Sequence, residues 1–162
     1  MLKIVQPFLI TLPLLANGPS LKTGQTIEYM TGDDGTYQAG ITRSYSRSPS
    51  GVVTDNATGL QWQDDAIGSS MIWDDANTYC QNLPLDGGGW QLPTKVQLHA
   101  LVDRSRSNPA IDPTFQNTTS SGYWSSSIYA PDVSNFWYVN FSDGSDNHAG
   151  MAGHGYVRCV RQ

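Results

Sequence analysis

Apolar residues between Ile72 and Leu83 recur at helical spacing, with Ile72, Trp73, Ala76, Tyr79, Cys80 and Leu83 on one stripe. The pattern predicts an amphipathic helix capped by Ser69 or Ser70. Asp74 and Asp75 lie near its positive end, and Pro84 and Gly87-Gly88-Gly89 close it. A second helix is expected after Pro93, where Thr94 and Gln97 have capping-box spacing and Leu98, Leu101 and Val102 supply a buried side. It should stop before Arg104. His99 is one position off that stripe and reads as partly exposed rather than as a ligand.

Strand patterns take over elsewhere. Val52 to Trp62 reads as strand, tight turn and strand, with Asn56-Ala57-Thr58-Gly59 supplying the turn. Tyr123 to Ser127, Phe136 to Phe141 and Gly155 to Arg161 read as later strands, and Ser142 to Ser145 as a turn. Residues 21–50 are polar and Gly-rich, an arm or edge hairpin in which Ile27, Tyr29, Tyr37 and Ile41 are available for short strands. Two helices early and antiparallel strands late define an α+β domain over 51–162.

Residues 1–20 follow a different pattern. Lys3 is their only charge, an interrupted apolar stretch runs from Ile4 to Ala16, and Ala16 and Gly18 are spaced as a cleavage site requires. This describes a signal peptide. The alternative is an apolar segment that stays attached and mediates assembly. The stretch is too short and broken to span a bilayer.

Composition narrows the function classes. The 162 residues suit one domain. Only 14% are charged, below the roughly 25% of ordinary soluble chains, yet 17 aromatics exclude a disordered chain. The acids comprise 13 Asp and one Glu, Glu28, which favours turns and caps over helix interiors. A net charge of −5, with no run among the nine basic residues, excludes nonspecific nucleic-acid binding. Cys80 and Cys159 are the only cysteines; they read as one disulfide in an exported protein, or as two buried thiols in a cytosolic one. No CxxC pair is present, and His99, His148 and His154 are dispersed, so no metal site and no cofactor is expected.

The series Thr54-Asp55-Asn56-Ala57-Thr58-Gly59-Leu60-Gln61-Trp62, Tyr79-Cys80, Trp90-Gln91-Leu92-Pro93-Thr94, Tyr123-Trp124-Ser125-Ser126 and Tyr156-Val157-Arg158-Cys159-Val160-Arg161 resembles one family. It is the C-terminal domain family of bacterial collagen-like adhesins, whose fold is similar to C-type lectins. The resemblance covers about residues 50–162, and Gln91 stands where the family usually has Arg. That departure puts one buried salt bridge in doubt. The resemblance implies a twisted antiparallel sheet with two helices, paired terminal strands, and a Cys80–Cys159 disulfide from the first helix to the final strand. It also makes Trp62, Trp90, Trp124 and Trp137 mainly core residues.

Nothing in the chain matches a nucleophile elbow, a P-loop, a Rossmann glycine fingerprint or an H-E-x-x-H helix, and no catalysis is expected. Asp64-Asp65 and Asp74-Asp75 have the residue types of a glycosidase pair, but read more simply as a turn and a helix N-terminus. Formylglycine-generating enzymes, distant relatives in fold, use reactive cysteines, and here both match the disulfide. The expected role is extracellular recognition through the late loops 128–135 and 142–155, in a protein that is secreted, periplasmic or on the cell surface. Those loops hold Tyr129, Asp132, Asn135, Asp143, Asp146, Asn147, His148 and His154, adaptable groups suited to a glycan or a host or partner protein surface. Asp143 and Asp146 alone make a weak case for a hard cation. The alternative function is a structural subunit of a bacterial surface appendage or phage fibre, and a second copy of the chain is a further candidate partner.

Overall fold

The computed structural model describes residues 20–66 and 68–162; the leader, apart from Ser20, lies outside them. The chain is α+β, with two antiparallel sheets where one was expected. Strands β1 (Tyr45–Arg47), β2 (Val52–Asp55), β3 (Gln61–Gln63) and β7 (Val160–Arg161) form the first sheet in the order β1-β2-β3-β7. Strands β4 (Gly122–Ile128), β5 (Asn135–Asn140) and β6 (Ser145–Gly150) form the second, in sequence order. Helices α1 (Asp34–Tyr37), α2 (Trp73–Asn82) and α3 (Lys95–His99) complete the set, with a 3₁₀ turn at Leu85–Gly87.

Alternation along the strands explains the packing. Neighbouring strand residues point to opposite faces, and here both faces meet core. Val53, Tyr123, Val139 and Val160 enter one cluster with Leu98 and Leu101 from around α3 and Phe141 from just past the end of β5. Their chain neighbours Val52, Trp124 and Cys159, together with Phe136, enter a second cluster with Ala76 and Cys80 of α2. Trp62, Trp90 and Trp124 are all buried, as the resemblance implied. The indole N–H of Trp90 donates to Leu85 O at 2.8 Å and that of Trp124 to Met71 O at 2.9 Å. Both are thereby satisfied in the core.

The predicted turn forms between β2 and β3. Asp55 Oδ1 accepts the amides of Ala57 and Thr58 at 2.9 and 3.3 Å, and Gly59 supplies a φ of 78°. The capping box of α3 also forms: Gln97 N donates to Thr94 Oγ1 at 3.2 Å and Thr94 N to Gln97 Oε1 at 2.9 Å. That helix ends sooner than its pattern suggested. Leu101 and Val102 reach the core from a following turn, because Val102 bridges Ile111 and Asp103 N donates to Ala110 O at 3.0 Å.

Other expectations require correction. Helix α2 starts from Ile72 with no side-chain cap, rather than from Ser69 or Ser70. Paired bonds of 3.0 Å between Met71 and Gly155 fix the approach, and Trp73 N donates to Met151 O at 3.1 Å, so a distant carbonyl serves as the cap. Ile27, Tyr29, Tyr37 and Ile41 are exposed and form no strand; Tyr37 ends α1, and Ile41 makes one isolated bridge with Leu21. Asp33 and Asp34 bind nearby backbone amides there, at Tyr29 and Thr23 among others, which competes with strand pairing. The final strand is confined to Val160–Arg161 and pairs with β3, not with the first strand. β1 takes the far edge beside β2, so β3 offers the only open edge of that hairpin. Before β7 the chain crosses from the second sheet, where Tyr156 N donates to Gly122 O at 2.9 Å and Trp124 N to Tyr156 O at 3.0 Å.

The Cys80–Cys159 disulfide closes a separation of 79 positions. A loop of that length corresponds to about 4–5 kcal/mol in the chain-entropy model. Asp64 gives the second tie. The carboxylate read as a turn residue is buried instead, paired with Arg158 at 2.9 Å and with Arg47. Gln116 N and Asn117 N donate to it at 2.8 and 3.1 Å. Arg158 Nη2 also donates to Asn117 O and Thr118 Oγ1, both at 2.9 Å. Burial pulls the Arg158 guanidinium below the ordinary arginine value, and the Asp64 charge opposes that shift. Arg158→Met should therefore destabilise the domain by about 3–5 kcal/mol in urea unfolding, by removing the fully buried partner of a buried carboxylate. Arg47→Met, at a partly exposed partner, should cost about 1 kcal/mol. Equal effects would show that Arg158 is not the principal partner.

Candidate functional site

The β5–β6 hairpin sets the geometry of the late residues. Asn140 Oδ1 accepts Ser142 N at 3.0 Å, and Asp143 Oδ1 accepts Ser145 N at 2.9 Å. Gly144 has a φ of 77°, and a Cβ there would lie 2.4 Å from Val102 Cγ1. Only glycine fits both constraints. The resulting register sets Trp137 opposite His148 and Val139 opposite Asp146. Residues 145–150, expected as part of a loop, are therefore strand: the polar sequence hides its pairing with an apolar neighbour. Trp137, Asp146 and His148 share one face of the sheet.

The β4–β5 loop adds Tyr129. Its N–H donates to Asn135 O at 2.8 Å, and Asp132 N donates to Tyr129 O at 3.0 Å. Asp132 Oδ2 accepts from Asn135 Nδ2 at 2.7 Å, so these two side chains brace the loop. Tyr129 stacks on His148 with ring centroids 3.6 Å apart, and both rings stand nearly perpendicular to Trp137 at 5.3 and 5.8 Å. All three aromatic side chains are half-buried. A rigid, partly exposed aromatic cluster results.

Lys95, the first residue of α3, completes the face. Its amide donates to Ser127 Oγ at 2.9 Å, which ties the helix start to β4. Its ammonium lies 3.4 Å from the Trp137 ring centroid and pairs with Asp146. Hydrogen bonding and charge from Lys95 hold the Asp146 carboxyl below the usual aspartate value. Asp143 is lowered too, chiefly by the Ser145 amide. Both carboxylates thus have partners within the protein. Sequence reasoning named Tyr129, Asp146 and His148 but missed Lys95 and placed Trp137 among core residues. The alternation of Phe136 with Trp137 marked two faces; the Lys95 contact depends on tertiary packing and leaves no local signal.

The remaining expected residues do not join this cluster. Asp143 lies in the hairpin turn, Asn147 sits opposite Tyr138 on the other face, and His154 is exposed on the chain leading out of β6. Among the described residues no group of three or more His, Cys, Asp or Glu side chains converges as a metal site. Asp64, one of the carboxylates considered for a glycosidase pair, is enclosed by its two arginines and two backbone amides. Asp74 and Asp75 are exposed in the first turn of α2.

A family model, the Lcl C-terminal domain, matches residues 51–161. The chain belongs to that family. No curated protein matches it. Membership in this adhesin-associated Lcl C-terminal domain family gives the chain an adhesion-related role directed at external partners. With the disulfide, it points to an extracellular or surface location. No helix among the described residues is long and apolar enough to cross a membrane.

His99 lies one helical turn after Lys95 in α3, with its ring 3.4 Å from Arg104 Nη2. Burial, then the Arg104 charge, lowers its pKa below the ordinary 6.5. The unfolded chain therefore takes up this proton before the folded one does. The His99 contribution to stability is fully present above the unfolded pKa and is lost as pH falls below it. The urea midpoint should drop as pH falls below the ordinary histidine value of 6.5, and His99→Gln should flatten that step. A step of unchanged size in the variant would place its source elsewhere.

Proposed function

We propose that this Lcl C-terminal domain is a noncatalytic, exported, C-type-lectin-like recognition module that binds a glycan or protein surface through the Tyr129–Trp137–His148 face. The supporting observation is the cluster itself. Three rings are fixed by sheet register and a braced loop, yet remain partly accessible, which provides contact area with little ordering entropy left to lose. Asp132 on the β4–β5 loop and Asn135 at the start of β5 supply a polar rim.

Glycan and protein arrays probed with the full chain should identify the target. Trp137→Ala and Tyr129→Ala should then lose about 2 kcal/mol of binding, roughly thirty-fold in Kd, the size of a hot-spot truncation. Thermal unfolding should place each variant within about 1.5 kcal/mol of the parent. Asn147→Ala, on the opposite face, should bind normally. Full binding by Trp137→Ala would move the site elsewhere.

The exposed Ile27, Tyr29, Met30 and Tyr37 favour a second reading, that of a subunit assembled through its N-terminal segment into an appendage or fibre. Mass spectrometry of the mature N-terminus separates the two. A start near residues 17–21 fits export with cleavage of the signal peptide, whereas an intact Met1 favours assembly.

A further inference from the structure

The recognition face already holds a cation. Lys95 Nζ sits over the Trp137 ring, and Asp146 neutralises it. The two partners of that ammonium are fixed on paired strands, because Trp137 and Asp146 belong to the β5–β6 ladder. Lys95 is tied at its backbone to Ser127, and its ammonium reaches the pair on a flexible four-carbon stem. Its side chain is 28% exposed and that of Asp146 is 32% exposed. Ion pairs and cation–π contacts this open to water are weak and easily exchanged. An aromatic face beside a carboxylate, both immobile, selects for positive charge, and Lys95 satisfies that preference from within the chain.

We infer that Trp137 and Asp146 form a binding site for an alkylammonium or guanidinium group, presented by a lysine or arginine side chain of a partner protein, with Lys95 as its internal competitor. The charge of the whole chain agrees: at −5 it attracts a basic surface over an acidic one. Asp132, on the loop that carries Tyr129, adds a further negative charge nearby. Binding would exchange one ammonium for another over the indole, so the protein loses no ion pair when the partner enters. This assignment rests on reading the Tyr129–Trp137–His148 face as the recognition surface, and it narrows the ligand of that face.

The test uses two capped tripeptides as probes, one with lysine between two glycines and one with glutamate in its place. Each is titrated into the full chain while the indole N–H signals are followed by NMR. Lys95→Met should bind the lysine peptide roughly five-fold more tightly than the parent, the scale of an exposed cation–π contact, with the largest shift on Trp137. Asp146→Asn should weaken that binding, and Lys95→Met combined with Trp137→Leu should abolish it. The glutamate peptide should produce no saturable shift. Equal or weaker lysine-peptide binding by Lys95→Met, a preference for the glutamate peptide, or no saturable binding of lysine to either protein would each overturn the assignment. If Trp137→Ala still weakens target binding as expected while the lysine peptide fails, only this assignment falls. Array binding that survives Trp137→Ala removes the recognition face itself.

Discussion

The buried carboxylate of Asp64 sets the relation between the two sheets. It follows β3 directly and is met by Arg158, which precedes β7, by Arg47 of β1, and by the amides of Gln116 and Asn117 on the approach to β4. A lone carboxylate in that position would be prohibitively desolvated. Its burial is tolerable only when all of these segments are in place together. The interaction is therefore a constraint on geometry more than a source of net stability, since buried ion pairs seldom outperform apolar packing. Arg158 extends the constraint by lying 4.7 Å over the Phe115 ring, between the charge network and the core around α3.

That constraint passes outward to the candidate site. Fixing residues 116–118 fixes the start of β4, and β4 carries the register of β5 and β6. Val102, packed in the same core, closes on Gly144 and sets the turn that joins β5 to β6. The exposed face therefore inherits its order from buried groups some distance away. Its half-buried rings are positioned by the sheet and not by contacts among themselves alone.

Patterns with a local cause were legible in the sequence. The stripe of α2, the capping box of Thr94 and Gln97 and the Asp55 turn all depend on residues close in the chain, and all appear where expected. Features with distant causes were not. Ser69 and Ser70 lost the capping role to Met151 across the fold, and Asp64, written like a turn residue, became a buried charge because Arg158 arrives 94 positions later. The strand Ser145–Gly150 carries no apolar alternation, and pairing with β5 alone makes it a strand. At the site, the residue types of the late loops named Tyr129 and His148, whereas the Lys95 contact came from a helix no loop-based reading would include.

The disulfide has a further consequence for the β4–β5 loop. Cys80 and Cys159 enclose α3 and the whole second sheet within one covalent ring of chain, while β1, β2 and β3 lie outside it. A single cut by an extracellular protease at the exposed residues 130–134 would open that ring without releasing a fragment. Both new ends would stay attached to a core held by Asp64 and Arg158. The segment bearing Tyr129 can thus be nicked while both parts of the molecule stay covalently joined.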